Sequence, residues 1–129
     1  MVVDTSALLE IAFLEPEARR FAELIRGAAQ PLLSVANFLE TSILIQSRKG
    51  LPQRDLFDAF VEDSEIRLEP VTRAQTLIAR DAYHRFGKGN HPARLNFGDC
   101  FAYALAKERD LPLLFKGDGF PLTDLRPAL

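Results

Sequence analysis

Apolar residues change their spacing along the chain in a way that marks out successive elements. Met1-Val2-Val3 is a short apolar run that halts at Asp4, the pattern of a buried strand. From Ala7 to Phe13 the apolar positions come at helical spacing until Glu15-Pro16 interrupts them. Ala18, Phe21, Leu24, Ile25 and Ala28 then mark a second amphipathic helix. Leu32-Leu33 predicts a very short second strand, after which Ser34 caps a helix running to about Lys49, closed by Gly50 and Pro52. Leu56, Phe57, Phe60 and Val61 define another helix. Ile66-Arg67-Leu68 alternates ahead of Pro70, which suits a third strand, and Thr72 starts a helix expected to carry Leu77, Ile78 and Ala82 inward and to end near Phe86. Gly87 to Pro92 reads as a surface loop, about Asn96 to Arg109 as a helix, and Pro112 to Phe115 as a fourth strand broken by Gly117-Asp118-Gly119.

Strands alternating with helices require crossover connections, so the expected class is α/β, a mostly parallel sheet flanked by helices. With 129 residues, 47% of them hydrophobic, the chain is expected to form a single domain over residues 1–129. Ligands of such sheets bind outside the carboxyl ends of the strands. Asp4 follows the first strand and Asp118 the fourth.

Each of those two aspartates has an ordinary explanation, Asp4 as a helix N-cap and Asp118 as a turn residue between glycines. Glu40 and Asp99 are harder to dismiss. Glu40 shares its helical face with Ala36, Ile43 and Leu44, and Asp99 has Leu95, Ala102, Tyr103 and Ala106 as helical neighbours. Glu17, Glu23, Asp58, Glu62 and Glu65 fall on polar faces and read as solvated surface. Buried carboxylates need a compensating cation, and no lysine or arginine lies within one turn of Glu40 or Asp99 on the same face. A hard divalent cation, Mg²⁺ or Mn²⁺, supplies that compensation, and a carboxylate cage with open positions suits phosphodiester hydrolysis. Ser6, Asn37 and Asn96 are placed to orient a ligating carboxylate or a bound water, although Ser6 and Asn96 could equally be helix caps.

Met1-Val2-Val3-Asp4-Thr5-Ser6-Ala7-Leu8, Ser34 to Glu40, Leu95 to Ala102, and Leu114-Phe115-Lys116-Gly117-Asp118-Gly119-Phe120 together resemble, in order and spacing, the PIN-domain nucleases. Within that family the chain is most similar to toxins of VapBC-type toxin–antitoxin pairs. The resemblance implies a Rossmann-like sandwich and an Mg²⁺- or Mn²⁺-dependent endoribonuclease that inhibits translation or growth. It assigns the catalytic and metal-binding carboxylates to Asp4, Glu40, Asp99 and Asp118. It further implies a homodimer, and inhibition by an antitoxin whose C-terminal segment lies in the groove by the active site. One departure is Gly119, where many members carry a second acidic residue. That leaves Asp124 as a possible outer contributor and leaves open one metal or two.

A formal charge of −2 means that any nucleic-acid contact must be local. The candidates are Arg48 and Lys49 at the end of the Glu40 helix, Arg85, Lys88, His91 and Arg94 around the glycine loop, and Lys116 beside Asp118. His84 and His91 are too few and too badly spaced for a zinc site. A lone cysteine, Cys100, excludes an internal disulfide. With no basic leader and no apolar run near the roughly 20 residues of a membrane span, the expectation is a cytoplasmic protein. The phenylalanines read as core rather than as stacking platforms. Leu9, Phe13, Phe21 and Ile25 offer either a partner surface or core packing. The rival fold-level reading, a phosphoryl-accepting receiver domain, would need adjacent acidic residues after the first strand, where this chain has Thr5-Ser6.

Overall fold

The computed structural model describes residues 1–129. Strands β1 (Val2–Val3), β2 (Leu32–Ser34), β3 (Arg67–Glu69) and β4 (Leu113–Leu114) form one sheet in the order β3-β2-β1-β4. Every pairing is parallel, with Val2 opposite both Leu32 and Leu113, and Leu33 opposite Leu68. Around the sheet lie α1 (Thr5–Ala12), α2 (Ala18–Gly27), α3 (Val35–Lys49), α4 (Leu51–Asp63), α5 (Arg73–Phe86) and α6 (Phe97–Arg109). The expected α/β class is therefore the observed one. No helix is long and apolar enough to cross a membrane.

Such short strands hold because side chains alternate between the two faces of a sheet. Val2, Leu32 and Leu113 enter one core with Ala79, Ala82 and Phe86 of α5 and Ala102 to Ala106 of α6. Val3, Leu33 and Leu114, one residue further along each strand, enter a second core with Ala7, Leu8, Phe21, Ile25, Ile45, Phe57 and Val61. A one-residue slip would exchange these faces, so burial of about 1.5–3 kcal/mol per large aliphatic side chain fixes the register. Phe21 and Ile25 are thus core, with Leu9 and Phe13 packed half-buried against it.

The chain steps outward from β1 through β2 to β3, then returns to place β4 on the other side of β1. This makes the carboxyl ends of β1 and β4 the topological switch point, where a parallel sheet opens a crevice.

Some side chains face otherwise than their spacing suggested. Leu77 is 47% exposed, because the inward stripe of α5 runs through Gln75, Ala79, Ala82 and Phe86. The third strand is shifted one residue toward Glu69, which is buried, while Leu68 faces outward. That inversion is held by two guanidinium groups, Arg67 Nε at 2.7 Å and Arg109 at 3.0 Å from the Glu69 carboxylate. Phe97 is 79% exposed and is not part of either core.

Candidate active site

Asp4 leaves β1 at the switch point, and its backbone N–H donates to Leu114 O of β4 over 2.9 Å. Its side chain, 2% exposed, caps α1. Oδ2 accepts from the Ser6 N–H at 2.9 Å and from the Ser6 hydroxyl at 2.6 Å. Ser6 is therefore not itself the cap. Its Oγ also accepts from the Lys116 N–H at 2.9 Å, which ties the loop after β4 to the first turn of α1. Asp4 Oδ1 is buried with no partner.

Glu40 belongs to α3, whose inward stripe is Asn37, Thr41 and Ile45. It lies one step off that stripe and is half-buried. Its helical neighbour Ile43 is 55% exposed, which corrects the expectation of a fully buried face. With Ala36, Leu39, Ile43, Leu44, Phe97 and Phe101, Glu40 lines an open apolar hollow of about 380 Å³. Its Oε1 accepts from the Thr5 hydroxyl at 2.6 Å and from Asn37 Nδ2 at 3.4 Å. Fully buried Asn37 also donates to Thr5 Oγ1 at 3.2 Å and to Gly98 O at 3.0 Å, joining α1, α3 and α6 around one carboxylate. Gly98 carries no side chain where a Cβ would overlap Glu40 Oε2 and stand 2.6 Å from Oε1. Thr5 is the residue that sequence reasoning missed. Its place between Asp4 and Ser6 was the available signal.

Asp99 enters on the first turn of α6. Asn96 Oδ1 accepts from the Asp99 N–H and Asp99 Oδ2 accepts from the Asn96 N–H, both at 2.9 Å, a reciprocal capping box. The capping explanation for Asn96 is thus correct, and the cap itself aims Asp99.

These three carboxylates feel one another. Burial pushes Asp4 up to about 7; the two Ser6 hydrogen bonds oppose the rise, and Asp99 and Glu40 add to it. Burial also raises Asp99; the Asn96 N–H opposes that shift and the Glu40 charge reinforces it. No ion pair of the molecule includes Asp4, Glu40, Asp99 or Asp118. Nor do any three such groups stand closed as a ligand shell. Like charges without a cation between them turn to neutral donors instead, as Glu40 does to Thr5 and Asn37.

Asp118 is exposed and lines a separate hollow with Glu17, Arg20, Phe115 and Lys116, its segment tied to the first turn of α1 through the Lys116–Ser6 bond. Asp124 is otherwise engaged, which corrects its reading as an outer contributor. It accepts from the Tyr103 hydroxyl at 2.6 Å and Lys107 Nζ at 2.7 Å, with Arg85 at 3.8 Å. Arg85 is therefore paired, with Asp81 as well as Asp124. Arg48 and Lys49 lie over the Phe13 ring at the far end of α3, about 12 Å along the axis from Glu40, so they do not flank the carboxylates. Lys88, Arg94 and Lys116 are exposed and carry no ion pair. His91 Nδ1 accepts from the Ala93 N–H, and its ring packs edge-on against Phe86.

The PIN domain family model matches residues 1–124. A protein of Mycolicibacterium smegmatis named Ribonuclease VapC is 48% identical over 129 residues, covering 97% of this chain and 97% of its own. Ribonuclease VapC28 of Mycobacterium tuberculosis is 43% identical over 130 residues, covering 100% of this chain and 98% of its own. Among solved structures, Mycobacterium tuberculosis VapC20, titled a sarcin-ricin loop cleaving toxin, superposes with a TM-score of 0.78 over 96% of this chain and 95% of its own. At 18% identity that likeness speaks for the fold.

Proposed function

Because this chain belongs to the PIN-domain family, we propose that it is the ribonuclease toxin of a toxin–antitoxin pair, an endoribonuclease that hydrolyses RNA phosphodiester bonds with Mg²⁺ or Mn²⁺ and so arrests translation or growth. The observation that carries this reading is the unbalanced charge at the switch point: three mutually repelling carboxylates with no cationic side chain, and one of them, Asp4, with a buried and unpartnered Oδ1. That donor set fits a hard cation, which takes carboxylate oxygens and retains waters.

Asp4, Glu40 and Asp99 would hold the ion, with Asp118 joining from the loop after β4. Bound there, a divalent cation supplies Lewis acidity toward a phosphate oxygen and lowers the pKa of water. The chain's own groups do the positioning. Ser6 fixes Asp4 Oδ2 with two hydrogen bonds and leaves Oδ1 for a ligand. Thr5 and Asn37 hold Glu40 by Oε1. The capping box sets Asp99 at the amino end of α6, where the helix dipole and free N–H groups favour a phosphate. Lys88, Arg94 and Lys116 would neutralise backbone phosphates nearby. An RNA substrate, a cognate antitoxin and a second copy of the chain complete the proposed partners.

The test is cleavage of end-labelled total RNA, with Mg²⁺, with Mn²⁺ and with EDTA, beside Asp4→Asn and Asp99→Asn. Cleavage that survives both EDTA and the substitutions would sink the carboxylate–metal mechanism. Co-expression with a short neighbouring gene should restore growth if that gene encodes the antitoxin.

A further inference from the structure

One residue holds a backbone conformation that its place in the fold does not explain. Four non-glycine residues have positive φ. Leu14, Glu65 and Asp110 follow the last turns of α1, α4 and α6, where left-handed geometry is an ordinary helix ending. Arg94, at φ 55°, lies instead in the loop that leads into α6. Left-handed geometry is costly for an arginine, so the surroundings must impose it. They do so from both sides. The Arg94 N–H donates to His91 O and the Ala93 N–H to His91 Nδ1, each at 3.0 Å. The next residue, Leu95, donates to Phe86 O and accepts from the Lys88 N–H, both at 2.9 Å. This loop is also seated on the turn that carries Asp118. Gly119 has an ordinary φ of −76°, so the glycine is required for space: a Cβ there would stand 2.6 Å from Ala93 O.

Arg94 thus stands between two turns of the candidate site. Leu95 and Asn96 join it to Asp99, whose carboxylate the Asn96 cap aims, and its neighbour Ala93 abuts the segment of Lys116 and Asp118. A structural arginine finds a carboxylate, as Arg67 and Arg109 find Glu69. Arg94 is exposed and has none. We propose that Arg94 is a phosphate-binding residue for RNA, fixed by the seating of Ala93 on Gly119, and that it engages the phosphate next to the one at the carboxylates. The proposal rests on the ribonuclease reading given above and deepens it, by singling out the exposed cation whose position the backbone enforces. A guanidinium is always charged, and its fork matches two phosphate oxygens at once. A cation that served solubility alone would need no strained backbone. One that must meet a phosphate in register with a cut gains from being fixed beforehand, because less freedom is lost on binding.

The experiment measures binding of a short fluorescent single-stranded RNA by anisotropy over a series of salt concentrations, all in an Asp4→Asn background so that nothing is cut. Loss of one phosphate contact on a single strand should reduce the slope of log affinity against log salt by about 0.7. Arg94→Gln is expected to show that reduction, with affinity at low salt about tenfold or more below the parent. Arg94→Lys keeps the charge without the fork, so it should restore the slope and only part of the affinity. Arg54→Gln, beside Gln46 at the far end of α3, should change neither. Gly119→Ala should reproduce the loss by displacing Ala93, and adding Arg94→Gln to it should cost nothing more. If its melting curve shows that Gly119→Ala does not fold, the two Arg94 variants decide the matter alone. An unchanged slope and affinity in Arg94→Gln overturns the proposal while leaving the ribonuclease reading intact. An equal loss in Arg54→Gln also overturns it, since charge would then act from anywhere on the surface. A folded Gly119→Ala that binds like the parent overturns the seating of the arginine. A parent that neither binds RNA nor, with Asp4 restored, cleaves it would bring down the ribonuclease reading itself.

Discussion

The Thr5 hydroxyl donates to Glu40 Oε1 across 2.6 Å, joining helices whose contacting residues lie 35 positions apart. A neutral hydroxyl thus orients an acid that the sheet cannot reach, and it does so from the residue next to Asp4. One short segment therefore supplies a carboxylate directly and aims another through a hydrogen bond.

Replacing that hydroxyl by a methyl group isolates its role. Thr5→Val should lower the cleavage rate about 10- to 100-fold, as expected for a group that orients a metal-ligating carboxylate. Thr5→Ser should recover most of the loss. The Mg²⁺ concentration for half-maximal cleavage should rise in the valine variant, and an unchanged value would remove Thr5 from the site.

Gly98 gives a cleaner separation of activity from stability. Alanine is the better helix former by about 1 kcal/mol, but its Cβ would collide with the Glu40 carboxylate. The flexible end of Glu40 can swing away, so Gly98→Ala should melt within a few degrees of the parent while losing most of its cleavage. Equal loss of both would mean that the clash is absorbed by the backbone.

The acidity of Asp4 sets a pH dependence. In the folded chain its carboxyl releases a proton near 7 rather than near 3.8. Between those values the folded state holds a proton that the unfolded chain has lost, so the metal-free protein should lose stability as pH rises from about 4 to about 7, then level off. The full shift corresponds to on the order of 4 kcal/mol. Urea midpoints in EDTA at a series of pH values measure this, and Asp4→Asn should flatten the curve. A midpoint that climbs through that window in the parent protein contradicts the assignment.

Glu69 should behave in the opposite sense. Burial alone would raise its pKa, but the Arg67 and Arg109 guanidiniums prevail and hold it below the ordinary value. Its contribution is therefore present near neutrality and is lost on acidification. Glu69→Gln should lower stability by about 1–3 kcal/mol, the usual consequence of unmaking buried charge-assisted hydrogen bonds. RNA cleavage, assayed below the melting temperature, should be unaffected.

How much of this was legible beforehand differs by level. The six α-helices and three of the four strands could be placed from apolar spacing and caps, because Val2-Val3, Leu32-Leu33 and Leu113-Leu114 are buried on both faces and the caps at Ser34, Thr72 and Asn96 are local signals. Glu40 and Asp99 were singled out by their place on apolar helical faces, and Asp4 by its place at a strand end and by the family resemblance. What remained hidden was set by tertiary packing. The outward turn of Phe97 and Ile43, the engagement of Asp124 by Tyr103 and Lys107, and the pairing of Glu69 with arginines 2 and 40 positions away leave no periodic trace.

The bond between the Ser6 hydroxyl and the Lys116 amide spans 110 positions, and the strand that flanks Asp4 on that side is made from residues equally remote. A polypeptide still being synthesised has neither neighbour while its early helices are already able to form. Asp4 then has no β4 carbonyl to receive its N–H, and Ser6 has no amide to accept from. The surroundings of Asp4 are thus completed late in synthesis, by the last strand to join the sheet rather than by the segment that carries the residue.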